Sequence, residues 1–354
     1  MYNGHPVIDV HGHISAPPQL NAHGFGIINN SPQIHTQPRI GGLKQQSRAA
    51  HNPFKLPEEP MRAAQQRHIE YIDERNIDVQ LLSPRPLGMM QWMWPLHTTL
   101  WCYATNDAIY QACQMNPTRF FGVGQLPLHS SMPDTRNCLE EAEFVVKQYG
   151  FVGLIVNPDP SGERNTPGMD DEWWYPLYQK AEELQATIFV HGSCSRDPRT
   201  TDNQYSFTAE EALATHLLER SAVFDRFPGL KFCISHCGGG PSRFVTNNTS
   251  ASWLPDNKTP DNLYFDTCAY HKGYIELCFQ QRGVDRFCFG TEAPGSGSAI
   301  NPETGKRSDD MLPIFDMMTT VTDAEKKMVL CDTPKKVFPL LKVDDISEKK
   351  LVAR

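Results

Sequence analysis

The sequence predicts an α/β fold, a distorted (β/α)8 TIM barrel with a lid-like insertion after its first strand. Two observations predict it. Eight short apolar, often β-branched runs each end in polar or catalytically capable residues, and helical patterns separate most of them. Continuous apolar runs suit strands buried on both faces of a parallel sheet better than strict alternation would. Alternation of strand and helix repeated about eight times favours a closed barrel over a doubly wound open sheet, the structural competitor.

The strand segments are Val7–His13, Ile77–Ser83, Phe120–Leu126, Phe151–Asn157, Thr187–Ser193, Leu230–His236, Leu263–Ala269 and Phe287–Glu292. Glu59–Asn76 carries a helical pattern before the second strand, and Thr98–Met115 has apolar residues at helical spacing before the third. Pro133–Tyr149 is the next helix, with Gly150 as its C-cap because glycine enters the left-handed conformation without steric cost. Asp171–Leu184, Thr208–Phe227, Lys272–Gln281 and Asp309–Val321 follow, and a final helix near Asp323–Leu330 takes Thr322 as N-cap. Trp173, Trp174 and Tyr175 read as helix-face packing, whereas Trp92 and Trp94 either line a pocket or pack in the core.

Residues 15–57 break this rhythm, being rich in Pro, Asn, Gln, Gly and His without periodicity. Inserted after the first strand, they would lie over the barrel mouth, as a lid or as a plain surface loop. The chain, residues 1–354, is otherwise read as one barrel domain. No stretch of about 20 apolar residues predicts a membrane span, and MYNGHPVIDVHGH lacks the basic and apolar regions of a secretory signal. The net charge of −8 is spread along the chain, and nucleic-acid binding needs a concentrated basic face. The charged end, Asp344 to Arg354, reads as a solvated tail. Ten cysteines without a CxxC pair, several inside apolar runs, read as buried reduced thiols of a cytoplasmic protein. The sequons at Asn247, Asn248 and Asn257 are then chance matches.

Side chains at the C-terminal strand ends of such a barrel converge on one face. Four of the thirteen histidines fall there: His11, His13, His191 and His236. Residues i and i+2 of a strand point the same way, so His11 and His13 present two imidazoles to one side. Glu292, at the eighth strand end, adds an oxygen ligand, and the set suits a divalent metal with one position left for water. The predicted ligands are His11, His13, His191 and Glu292. His236, ahead of three glycines, is a ligand, a general base or a polariser of a substrate oxygen. Arg85, between two prolines after the second strand, suits bidentate recognition of a substrate carboxylate, and Arg196 is a second such candidate. Asn157 and Tyr270 are further substrate-binding candidates, and His271 is a candidate proton carrier. Asp266 could hold a histidine in its tautomer, and Cys194 and Cys237 neighbour the proposed metal.

These motifs resemble the amidohydrolase superfamily in its decarboxylase-like branch. VHGHISAP, LLSPRP, IVNPDP, WWYPLY, SHCGGG, YFDT and FGTEAPGSGSAINPETGK are similar to the lignin-catabolism subgroup of meta-cleavage-product carbon–carbon hydrolases and 4-oxalomesaconate hydratase. The resemblance runs from about residue 7 to residue 340 and is weakest over the insertion. It implies one divalent metal, usually zinc with manganese or iron in other relatives, and a small-molecule carboxylate substrate. It places the metal on His11, His13, His191 and Glu292, with His236 close beside it. Glu292 stands where the wider superfamily has Asp, in the manner of the hydratase and carbon–carbon hydrolase subgroup.

The predicted activity is metal-dependent hydrolysis of a carbon–carbon bond in a meta-cleavage product, by water activated on the metal. A hydratase or a non-oxidative decarboxylase acting on an unsaturated oxo-acid is the alternative. An iron or manganese oxygenase component, or a non-catalytic subunit of a hetero-oligomer, is the reading from another class. The resemblance further implies a homo-oligomer.

Overall fold

The computed structural model describes residues 1–29, 47–193, 195–196, 203–242 and 258–343. Cys194, the three sequons and the charged tail lie outside them.

Eight parallel strands form one sheet in sequential order. They are β1 (Ile8–His13), β2 (Val79–Ser83), β3 (Phe120–Gln125), β4 (Gly153–Val156), β5 (Thr187–Val190), β6 (Phe232–Ile234), β7 (Leu263–Asp266) and β8 (Phe287–Cys288). The first and last strands meet, Val10 N donating to Phe289 O at 2.9 Å and Glu292 N to His11 O at 2.7 Å, so the sheet is a nearly closed (β/α)8 barrel. The strands stop short of the segments expected from sequence, and His191, His236 and Glu292 lie just beyond their strand ends, where the backbone is free to turn.

The apolar runs serve two cores. Ile8, Val10, Val79, Leu81, Val123, Ile155, Phe189, Cys233, Tyr264 and Cys288 fill the barrel interior, joined by Val337, Phe338, Leu341 and Val343 from the C-terminal segment. Leu82, Phe120, Leu154, Val156, Ile188, Ile234 and Phe265 face the surrounding helices. Sides alternate along each strand, but both sides are apolar, which is why the sequence shows runs.

β1 contains one exception with functional weight. Its pairing with β2 runs Ile8 to Val79 and His13 to Ser83, so five steps on β1 match four on β2, and the register shifts between Asp9 and Gly12. The extra residue is a bulge, and it reverses the alternation. Ile8 and Val10 fill the barrel interior, yet His11 also faces inward, its ring centroid 5.3 Å from that of Phe189. Without the bulge, a strand burying Ile8 and Val10 in the barrel would turn the two histidines outward.

The helices depart from expectation mainly at their ends. Asp134 accepts from Arg136 N and starts a 3-10 turn, so the expected Pro133–Tyr149 helix runs only over Leu139–Lys147. Gln148, not Gly150, is its C-cap, and Gly150 lies two residues further on with the left-handed φ of +69°. A helix at Asn203–Glu219 and a short turn at Val223–Arg226 replace the expected Thr208–Phe227. Asp309–Val321 contributes only Leu312–Asp316. Thr322 caps Asp323–Lys327 through a capping box with Glu325. Trp173 and Trp174 are buried, while Trp92 and Trp94 are exposed. Every described cysteine is buried and free. No described helix is long and apolar enough to cross a membrane.

The described ends of the insertion pack beside the barrel on the Pro95–Met115 helix. Gly24, on the Gln19–Asn29 helix, meets Trp101 so closely that an added Cβ would sit 2.8 Å from the indole. Arg48 is buried against Asp107 and lies 3.3 Å from a Glu141 oxygen, with its guanidinium 4.5–5.5 Å from the ring centroids of Tyr103, Phe144 and Tyr149. Of the 15–57 insertion expected as a lid, residues 30–46 lie outside the described residues.

Candidate metal centre

Four imidazoles converge at the C-terminal end of the barrel. The His11 ring lies 5.0 Å from that of His13, 4.9 Å from His191 and 5.2 Å from His236, centroid to centroid. His11, His191, His236 and Glu292 each offer one ligand atom, all within 4.8 Å of one another. His13 borders the same space, its Nε2 being 3.7 Å from a Glu292 oxygen.

The hydrogen bonds decide which nitrogen of each ring is available. His11 Nδ1 is 2.7 Å from Asp266 Oδ2, and His191 Nδ1 is 2.7 Å from the Gly192 carbonyl. A carbonyl only accepts, so His191 carries its proton on Nδ1, and the Asp266 carboxylate orients His11 the same way. Ser83 Oγ donates to Gly12 O at 3.1 Å and accepts from His13 Nδ1 at 2.9 Å. The Nε2 atoms of His11, His13 and His191 are then lone pairs facing a common centre, and all three are buried without a hydrogen-bond partner. Burial, the largest cause, holds His11 and His191 well below the usual histidine range and lowers His13 as well, which keeps them neutral. Buried lone pairs that stay unsatisfied are costly, and a cation at their focus removes the cost. This donor set fits a divalent metal.

His236 differs. Its Nδ1 is 2.8 Å from Glu211 Oε2 and its Nε2 is 3.6 Å from Glu292 Oε2, on the wall of a cavity of about 200 Å3. Burial pulls its pKa down, but Glu211, Cys268 and Glu292 override this and raise it well above the usual value. Burial likewise acts to raise Glu292, yet the facing histidines hold its carboxyl far below the carboxylate range. Ser296 Oγ donates to the Glu292 carboxylate, and the Tyr270 hydroxyl lies 3.3 Å from it.

The ends of β6, β7 and β8 share a device absent from the sequence pattern. His236, Cys237, Tyr270 and Glu292 have φ of 51°, 57°, 54° and 57°. Left-handed backbone at non-glycine residues is uncommon and collects at functional sites. Gly290 permits the last turn, since a Cβ there would sit 2.8 Å from Asp266 and 3.0 Å from His11.

The remaining candidates separate. Tyr270 lines the cavity. Arg85 reaches the β8 loop, donating to Pro294 O at 3.3 Å. Asn157 is buried in its own turn, accepting from Asp159 N at 3.1 Å. Arg196 is exposed and pairs with Glu163 at 2.6 Å. His271 is exposed and caps the Lys272–Arg282 helix, its Nδ1 accepting from Tyr274 N at 3.2 Å. Cys237 packs in the outer core. Ser83, Ser296, Cys268 and Glu211 escaped sequence reasoning. Ser83 and Ser296 lie inside motifs already singled out and Cys268 and Glu211 outside them, but in each case only tertiary contact shows the side chain's use.

A sequence profile of the amidohydrolase family, Amidohydro_2, matches residues 8–340. The chain belongs to this family. Its match begins at β1 and ends beyond the final helix, so the whole barrel is the family's metal-dependent enzyme fold. A Sphingobium sp. amidohydrolase relative, 2-keto-4-carboxy-3-hexenedioate hydratase, is 31% identical over 280 residues, covering 77% of this chain and 82% of its own. A gamma-resorcylate decarboxylase from Polaromonas sp. is 26% identical over 254 residues, covering 65% of this chain and 77% of its own. Among solved structures, the 4-oxalomesaconate hydratase of Rhodopseudomonas palustris superposes with a TM-score of 0.77 at 27% identity, covering 98% of this chain and 99% of that one. A Polaromonas sp. dihydroxybenzoic acid decarboxylase solved with bound manganese shares the fold, with a TM-score of 0.67 at 19% identity, covering 97% of this chain and 99% of that one.

Proposed function

We propose that this amidohydrolase is a hydratase that adds water to an unsaturated oxo-dicarboxylate of aromatic catabolism. His11, His13, His191 and Glu292 hold one divalent metal ion. The observation that carries the reading is the trio of buried, unpartnered Nε2 atoms aimed at the space beside Glu292. His236 is assigned to substrate because its ring lines the cavity and its Nδ1 is held by Glu211. Three nitrogens and a carboxylate suit zinc. Hydration is preferred to the carbon–carbon hydrolysis expected from sequence motifs because the 31%-identical relative and the structure superposing at 0.77 are both hydratases. Decarboxylation of a related acid is the second reading, supported by the gamma-resorcylate decarboxylase relative.

A bound divalent cation supplies Lewis acidity and brings the pKa of water towards neutrality. The chain's residues do the rest. Arg85 binds a substrate carboxylate and holds the alkene against the centre. Glu292 takes a proton from the attacking water as the carbon–oxygen bond forms. His236 returns a proton to the neighbouring alkene carbon, held for that task by Glu211. Tyr270 and Ser296 keep the Glu292 carboxylate in place.

Unsaturated oxo-dicarboxylates and ring-fission products, followed by ultraviolet absorbance and product mass, discriminate the readings. Hydration predicts one product heavier by a water; release of carbon dioxide or of two fragments would overturn it. Protein purified without added metal should contain close to one transition-metal ion per chain by elemental analysis, and its absence would remove the proposed centre. Arg85→Met should raise KM about 10- to 100-fold, the loss of a charge-assisted hydrogen bond worth about 1.5–3 kcal/mol. An unchanged KM would take Arg85 out of substrate binding.

A further inference from the structure

Glu211 is fully buried and comes from the Asn203–Glu219 helix, outside the barrel strands. Among described residues its ion-pair partners are only the histidines His191 and His236, with no described Lys or Arg to offset its burial. Gly192 N donates to its Oε1 at 2.9 Å and His236 Nδ1 to its Oε2 at 2.8 Å, while Ser235 Oγ lies 2.7 Å from Oε1 and shares its one proton between that oxygen and Val190 O at 2.9 Å. Gly192, Ser235 and His236 each belong to a short turn that carries a site histidine. Gly192 follows His191 and fixes its Nδ1 through the Gly192 carbonyl, and Ser235 precedes His236.

The seat of the helix is equally specific. A Cβ on Gly192 would sit 2.5 Å from Phe207 Cα, and one on Gly239 2.3 Å from Ala212 N. Thr215 Oγ1 donates to Gly238 O at 2.9 Å. Backbone-to-backbone contact at both glycines therefore sets the helix between the ends of β5 and β6 and drops Glu211 into the gap.

We infer that Glu211 is a positioning residue, which sets His191 at the metal centre and His236 on the wall of the cavity beside it by holding the β5 and β6 turns on one carboxylate. The inference rests on the metal-centre reading above. A carboxylate is required because Gly192 N–H and His236 Nδ1–H each donate to a different one of its oxygens. A glutamine of the same shape must turn its NH2 towards either Gly192 N–H or His236 Nδ1–H, and two donors then face each other.

Glu211→Gln tests this in the metal-loaded protein. Affinity for zinc, measured by competition with a chromophoric chelator, should fall about 10- to 100-fold. The visible absorption of the cobalt-loaded protein should change, and kcat should fall with KM within about threefold. Glu210→Gln on the same helix, whose carboxylate pairs with Arg164 at 3.1 Å, should leave zinc affinity and the cobalt spectrum unchanged. Unchanged zinc affinity and cobalt spectrum in Glu211→Gln would overturn the inference, as would an equal loss in Glu210→Gln. Should Glu211→Gln not fold, Glu211→Asp keeps the charge but not the reach, and native zinc affinity there overturns the inference equally. Wild-type protein that binds no zinc would instead sink the metal-centre reading itself.

Discussion

Glu292→Gln should lower kcat by about 10²–10⁴-fold, the range for losing a positioned acid–base group. The carboxylate lies 3.7 Å from His13 Nε2 and 3.6 Å from His236 Nε2, and it accepts from Ser296. Glutamine keeps the shape but removes the charge, and it turns one acceptor oxygen into a donor facing a histidine or a hydroxyl. Because Glu292 works on the attacking water, KM should change far less than kcat. Steady-state kinetics with the substrate identified by the screen, alongside the metal content of the variant, separate the two roles proposed for this residue. Full metal occupancy with a large fall in kcat assigns it to proton transfer, whereas lost occupancy assigns it mainly to binding. A fall in kcat of less than tenfold would exclude it from the chemistry.

The second large effect concerns stability rather than chemistry. Arg48→Met should cost about 3–5 kcal/mol of stability, since removing one partner of a buried ion pair strands the other. Asp107 and Glu141 are 3% and 1% exposed, so neither can turn to water when the guanidinium is gone. The loss should also depend on pH. Burial is the main cause that pushes Glu141 up to about 7, and Arg48 opposes that rise. A carboxyl whose folded pKa lies above its unfolded one favours the folded state while protonated, and that stability is lost as pH climbs from the unfolded value to the folded one. Without Arg48 the folded pKa rises further and the window extends upward. Urea unfolding should therefore show a larger deficit at pH 8 than at pH 5, and a deficit equal at both would contradict this account. Phe54 N and the Tyr149 hydroxyl also bond Asp107, at 2.6 and 2.7 Å, so the variant should loosen the described end of the insertion.

Much of the fold was legible because a barrel repeats one physical problem eight times. Each strand must be apolar on both sides and each helix on one, and both patterns are local. The metal-ligand candidates were legible because strand ends meet in this topology, so His11, His13, His191 and Glu292, with His236 beside them, needed only to be placed at those ends. Arg196 and His271 show the limit of that rule. Both follow a strand end, yet Arg196 pairs with Glu163 and His271 caps a helix, because a local partner claimed each side chain first. A helix start was misplaced where an Asp cap competed with periodicity, as at Asp134.

By itself, the sequence determined the order of elements, the two-sided burial of the strands and the identity of the four converging histidines. All follow from periodicity and from where the barrel topology sends each strand end. Only the tertiary structure decided which nitrogens are free, that a bulge in β1 turns His11 and His13 inward, and that Glu211 joins β5 to β6. Those features depend on contacts between residues distant in sequence. A one-residue register shift and a buried carboxylate leave no periodic trace in the chain.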